Sequence, residues 1–302
     1  MAHLAALLRR AGAWRGGATT PWAVPTGPWA EPASESPGAP SDVAREQLRA
    51  RTLAATGDAE VADAVVEAWA GLTRAARVAV ADPTALAADA RQANGTTCGS
   101  AVLTMLAAMG DPSLAFWLVT GRLATDPDEA RPPELAGANL GSLALLAEAP
   151  ASRRFAAVHR VYKRRSTARG LLGMPWPGAL GTPPWGAARV ARFPGVRYTH
   201  HPLDDADPDD LGAVLDAVGA ATAAGIPVPL YSGGDTARGW STAVPRHVVL
   251  AVGRTGDALR VFEPGRGRLL TAPRAALLAA QAPQPALGGW KHLVWVLAPR
   301  PA

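Results

Sequence analysis

The hydrophobic rhythm of this chain changes once, near Gly225, and that change restricts its fold class more than any other feature. Before it, apolar residues recur at three- and four-residue spacing: Val61, Ala64, Val65, Ala68 and Trp69 share one face. The stretch Asp207 to Gly225 reads as a capped helix with Leu211, Val214, Leu215 and Val218 turned inward. After it, IPVPLYS, HVVLAVG, ALRVFEP, GRLLTA and HLVWVLA are short, β-branched or alternating runs separated by Gly or charged turn residues. Helices gathered first and strands gathered last predict an α+β architecture, with a helical N-terminal half packed on a C-terminal antiparallel sheet.

The chain has 302 residues, of which 48% are hydrophobic and 18% charged, enough apolar material for a sizeable core. No apolar run approaches the roughly 18 residues that a membrane span needs, so no span is expected. The start, MAHLAALLRRAGAWRGG, has only a short apolar stretch before Arg9 and Arg10; it signals neither secretion nor twin-arginine export, and the cytoplasm is the default expectation. The formal charge of +5 is almost wholly arginine, since Lys163 and Lys291 are the only lysines. With Ala, Pro and Gly abundant as well, this pattern points to a coding bias, and no specific nucleic-acid partner is expected from it.

Residues 1 to 41 mix Gly, Pro, Ser and Thr with isolated tryptophans and show no period, which predicts a flexible tail ending near Ser41, a plausible N-cap. Residues 42 to about 90 predict two or three helices. A further helix should open at Cys98 and stop at Gly110, and Asp111-Pro112 should cap another. Residues 151 to 169 read as a basic helix, followed by LLGMPWPGALGTPPWGAAR, a loop too long for a simple turn and therefore a site-covering lid or a disordered insert.

One cysteine in a chain of this length excludes an internal disulfide framework and any cysteine-based zinc cluster. Its position is informative. A helix start concentrates unpaired amide donors and about half a positive charge, which favours a thiolate. Such a nucleophile needs a base and a group that orients the base. If HVVLAVG and ALRVFEP pair through the turn RTGD, His247 and Glu263 become neighbours at one sheet edge and supply both. Gln92, six residues before Cys98, carries an amide suited to an oxyanion, with the backbone N–H of Cys98 as second donor.

These segments, QANGTTCGSAVLTML, GIPVPLYS, RHVVLAVG and VFEPGRG in that order, resemble the double-glycine-leader (bacteriocin-processing) peptidase type of papain-like cysteine peptidases. The resemblance runs roughly from Arg91 to Ala280, with an unrecognisable middle, and implies one papain-like domain over 42 to 302 with a helical extension at about 42 to 90. It also implies a peptide or protein substrate, no cofactor, and Cys98, His247, Glu263 and Gln92 as site residues. The sequence departs from the pattern at Glu263, where the family usually has Asp, and it lacks the transporter portions to which such domains are often joined. Three readings stay open: hydrolysis of a peptide or related amide, acyl transfer on the same site, and a non-catalytic peptide-binding module.

Other polar clusters read more blandly. His292 and His159 compete for the role of base, but each fits a structural or solvated position better. His200, His201, Asp204 and Asp205 contain ligand chemistry, yet adjacent histidines in a strand face opposite ways, and a polar loop without metal is the expectation. Arg153, Arg154, Arg160, Lys163, Arg164, Arg165 and Arg169 read as a solvated basic face. Trp176, Trp185 and Trp240 read equally well as groove lining or as loop anchors.

Overall fold

Side-chain caps determine where most of the helices begin. In the computed structural model, which describes residues 22–29, 40–126, 130–170, 173–205, 207–234 and 245–302, Ser41 accepts from the Ala44 amide to open α1 (Asp42–Thr56). Asp58 and Thr73 open α2 (Ala59–Ala70) and α3 (Arg74–Ala81) in the same way. Asp111, followed by Pro112, accepts from Ser113 and Leu114 to start α5 (Pro112–Thr120). Asn139 caps α6 (Leu140–Ala147), and Asp207 caps α9 (Pro208–Ala223). Each such cap is worth about 1 kcal/mol. The helix α4 (Cys98–Gly110) differs: Thr97 makes no capping bond, because its hydroxyl is engaged with Asn94 in the preceding turn.

Besides short 3-10 turns, the other described elements are α7 (Ala151–Thr167), α8 (Pro184–Val190), α10 (Arg274–Ala279) and six strands: β1 (Val196–Pro202), β2 (Val228–Gly233), β3 (His247–Thr255), β4 (Ala258–Glu263), β5 (Arg268–Pro273) and β6 (His292–Pro301). The strands form one antiparallel sheet in the order β1-β6-β2-β3-β4-β5. The α+β class expected from the change of period is therefore found.

The sheet is covered on both sides. Leu103, Leu106, Phe155, Tyr162, Tyr231 and Leu250 join one apolar cluster, in which α4 lies against the sheet and α7 packs on α4. Leu211, Val214, Val218, Leu230, Val249 and Val261 form a second cluster beneath α9 on the other face. Burial on both faces explains why β2 is wholly buried and why its sequence runs apolar without strict alternation. A third, smaller cluster, with Val65, Trp69 and Phe116, holds α1, α2 and α3 to α5.

Three expectations need correction. The segment 22–29, assigned to a flexible tail, is seated on the body: Trp22 and Trp29 are buried, and Trp29 meets Phe193 edge-on at 4.9 Å. Gly225 permits this approach, because a Cβ there would lie 1.8 Å from the Trp29 carbonyl oxygen. Most of the rest of residues 1 to 41 lies outside the described residues. His200 and His201 lie in β1, not in a polar loop; β1 pairs with β6 and buries Val196, Tyr198 and Pro202. The basic helix is not a uniformly solvated face either. Arg154 is buried and donates to the carbonyls of Leu118 and Val119 at the end of α5, where the negative end of a helix favours a cation, and to that of Ala149 in the link between α6 and α7.

Among the described residues no single helix is long and apolar enough to cross a membrane.

Candidate active site

The hairpin of β3 and β4 closes in two residues, Thr255 opposite Ala258, with Gly256 at φ 58°, a left-handed value that glycine adopts without strain. Leu250 pairs with Phe262, so the start of β3 and the end of β4 fall at the same edge. There the Nε2–H of His247 donates to Glu263 Oε1 at 2.6 Å. The longer side chain at position 263 therefore spans the gap. Its carboxylate is also pinned by the backbone N–H groups of Gly265 and Arg266, each at 2.8 Å. Burial works to raise the Glu263 pKa, but the bonds from His247, Gly265 and Arg266 prevail and hold it below the usual carboxylate range.

Cys98 lines the same small cleft as the imidazole and lies close enough to act on its protonation. Burial acts to lower the His247 pKa, yet hydrogen bonds and negative charge from Cys98 and Glu263 outweigh it and hold the value up at about 9. With Nε2 committed to Glu263, Nδ1 is the ring nitrogen left for another partner. Cys98, the first residue of α4, is 4% exposed.

The structure thus brings Cys98, His247 and Glu263 together from the start of one helix and two strand ends. Gln92 lies beside them: its backbone N–H donates to the Pro264 carbonyl at 2.9 Å, directly after Glu263, and its side-chain oxygen is buried without a hydrogen-bond partner. The neighbouring Arg91 donates to the Gly265 carbonyl, so the loop before Cys98 is stitched to the turn after Glu263.

The cleft at the sulfur is small, about 50 Å³, and Gly181, Thr182, Tyr231 and Arg246 help to line it. A roomier hollow of about 550 Å³ lined by Trp29, Arg51 and Arg254 contains none of the four site residues.

Four further residues support the site, and three of them escaped the sequence reading. Gly288, at φ 69°, leaves room for the imidazole, since a Cβ there would lie 2.3 Å from His247 Cδ2. Gly99 packs against Thr182, where a Cβ would lie 2.6 Å from the threonine Cβ. Lys163, expected on a solvated face, donates instead to the carbonyls of Thr96, Gly178 and Gly181, tying α7 to both lips of the cleft. Burial lowers its pKa, against the pull of Cys98. Tyr231 is the fourth; its phenol is 1% exposed and its hydroxyl has no hydrogen-bond partner in the protein. Only the glycine after the cysteine carried a local signal in the sequence; the others meet the site through contacts far along the chain.

The long Gly/Pro/Trp stretch is neither a simple loop nor wholly irregular: it includes α8, and Gly181 and Thr182 form one lip of the cleft. Trp176 and Trp185 anchor it, packed edge-on at 5.4 Å, with the Trp185 indole donating to Gly170 O. Trp240 lies outside the described residues. The competing histidines sit elsewhere. His292 Nδ1 is 2.8 Å from Asp205 Oδ2, both buried. His159 is buried in α7 near Phe155, and burial together with Arg160 lowers its pKa to about 4.

Comparison of the chain with protein-family models, with characterised proteins and with solved structures finds no match.

Proposed function

We propose that this chain is a papain-like thiol hydrolase that cleaves a peptide or related amide bond through an acyl-enzyme on Cys98. The observation that supports the reading is one cleft lined both by a sulfur at a helix start and by an imidazole bonded to an anchored carboxylate. An imidazole with a pKa of about 9 retains its proton at neutral pH, which suits a thiolate–imidazolium pair.

In this mechanism the Cys98 sulfur attacks the carbonyl carbon, and the carbonyl π pair moves to oxygen. The Cys98 backbone N–H at the open end of α4 and the Gln92 amide serve that oxyanion. Collapse expels the amine, which takes its proton from His247, and leaves a thioester on Cys98. Water, deprotonated by His247, then releases the acid and restores the pair. Glu263 fixes the tautomer and ring orientation of the base throughout.

Acyl transfer is the second reading, favoured by the low exposure of the sulfur in a narrow cleft, which limits the access of water relative to a bound amine. Labelling with a thiol-directed peptidase inhibitor tests the site: the adduct is expected at Cys98 in the wild type and absent in His247→Ala. Equal labelling of the two proteins sinks the proposal. The masses of products formed with and without an amine acceptor separate hydrolysis from transfer.

A further inference from the structure

The cleft holds more hydrogen-bonding capacity than the proposed chemistry consumes. Tyr231 and Thr182 both line it, and the hydroxyl oxygen of each is buried without a hydrogen-bond partner. Orphaned buried polar atoms are rare, because leaving one unpaired costs about 1–3 kcal/mol. Two in one small cleft beside the sulfur mark a surface built to be completed by something that enters it.

Tyr231 is the better placed to act as a donor. It lies on β2, one residue before Ser232, which pairs with His247 on β3. It shares its apolar cluster with Cys98 and Val248. It therefore stands on the sheet wall of the cleft, whereas Gln92 and the Cys98 amide belong to the helix-start loop. Burial, reinforced by negative charge on Cys98, raises the phenol pKa well above its ordinary value, so the O–H stays intact for donation. A phenol is also stiff, with few rotamers to lose on binding.

An extended peptide carries a carbonyl at every residue, and each must find a donor when it enters a dry cleft. The reacting carbonyl already has two donors on the helix side. We infer that the Tyr231 hydroxyl donates to the next carbonyl of the acyl segment, one residue before the bond that breaks, so that the site selects a peptidyl group over a bare acyl group. This rests on the proposed thiol chemistry. It adds a substrate class, acyl groups bearing their own amide carbonyl, and a residue that reads it.

The test compares two aldehydes that add reversibly to a thiol. In each, an S–C bond forms, the carbonyl π pair moves to oxygen, and that oxygen takes its proton from His247. N-acetylglycinal carries the second carbonyl; propanal does not. Binding is read as protection of Cys98 from methyl methanethiosulfonate, a small reagent with no carbonyl. In Tyr231→Phe, protection by N-acetylglycinal is expected to weaken about tenfold, the loss of one hydrogen bond, while protection by propanal and the unprotected labelling rate stay within about twofold. Melting temperature is expected to rise by a few degrees, because the variant discards an unpaired buried hydroxyl. Equal weakening for both aldehydes would assign the hydroxyl to the reacting oxygen and overturn the inference, as would no weakening at all. A changed labelling rate would make Tyr231 a support of the sulfur and overturn it too. If wild type and His247→Ala label at the same rate, the thiol reading itself fails, and this assignment with it.

Discussion

Among the described residues two buried histidine–carboxylate pairs sit on this one sheet, and of the two only His247 shares a cleft with the sulfur of Cys98. His247 and Glu263 meet at 2.6 Å at the ends of β3 and β4; His292 and Asp205 meet at 2.8 Å where β6 begins and the chain turns toward α9. Both are close and both are enclosed. The first pair adjoins a sulfur at an uncapped helix start, a glycine that makes room for the ring, and a cleft. The second joins two segments 87 residues apart, tying the start of the interior strand β6 to the chain that leaves β1. A histidine bonded to a carboxylate is thus not by itself a site, and the proposed chemistry depends on the neighbouring sulfur that only the first pair has.

The strongest challenge to that contrast is to remove each imidazole in turn. His247→Ala is expected to lower turnover by about four orders of magnitude, the scale of losing a base that activates a nucleophile. His292→Ala should leave turnover per folded molecule unchanged and cost about 1–3 kcal/mol of stability, because it removes a buried hydrogen bond to Asp205. Steady-state kinetics beside denaturant unfolding checks both, and an inactive but fully stable His292→Ala would dissolve the distinction.

The carboxylates sharpen it further. Glu263→Gln should reduce turnover by about a hundredfold or more by misassigning the ring proton, whereas Asp205→Asn should act on melting temperature alone. Gly288→Ala comes next. Its Cβ would meet the His247 ring in a left-handed backbone conformation, and a displacement of the base by about 1 Å can cost on the order of a hundredfold. Near-normal kinetics in that variant would show that the ring has slack the packing does not suggest.

The smallest effects are those of pH. Activity through an imidazolium should fall as pH rises through about 9, the His247 value, and a pH profile of kcat/KM reads it. Because that pKa is raised above 6.5, the pair's stabilisation is complete below 6.5 and is lost as pH climbs toward 9. His159 works oppositely. Its folded value of about 4 lies below 6.5, so its neutral form supports the fold above 6.5 and the support drains away as pH drops toward 4. The full span corresponds to about 3 kcal/mol. His159→Phe, which fills similar space without a titrating group, should flatten the acid limb of a stability–pH curve while leaving the alkaline limb of activity in place.

The parts of the molecule legible from the sequence are those whose signal is local. Cys98 to Gly110 reads as a helix from its own composition and its glycine stop, and the β3–β4 hairpin from alternation around RTGD, so Cys98, His247 and Glu263 follow from short-range rules plus one pairing. What escaped depends on contacts far along the chain. The strand β1 is polar in sequence, and its partner β6 lies about a hundred residues away. Lys163 looks like one charge in a basic run until two loops fold over it. Gly288 and Tyr231 matter only because of what the fold brings against them, and no periodicity marks either one. Trp29 reads as tail until Gly225 opens a seat for its backbone.

The seam between Arg91-Gln92 and Pro264-Gly265 joins stretches about 170 residues apart through backbone carbonyls, independent of side-chain identity at the acceptor positions. The loop that leads to Cys98 and the anchor of the Glu263 carboxylate consequently share one piece of scaffold with no private hinge between them. On heating, the alignment of sulfur, ring and carboxylate is bound to the lifetime of the sheet itself, so loss of reactivity and loss of fold should arrive as a single event.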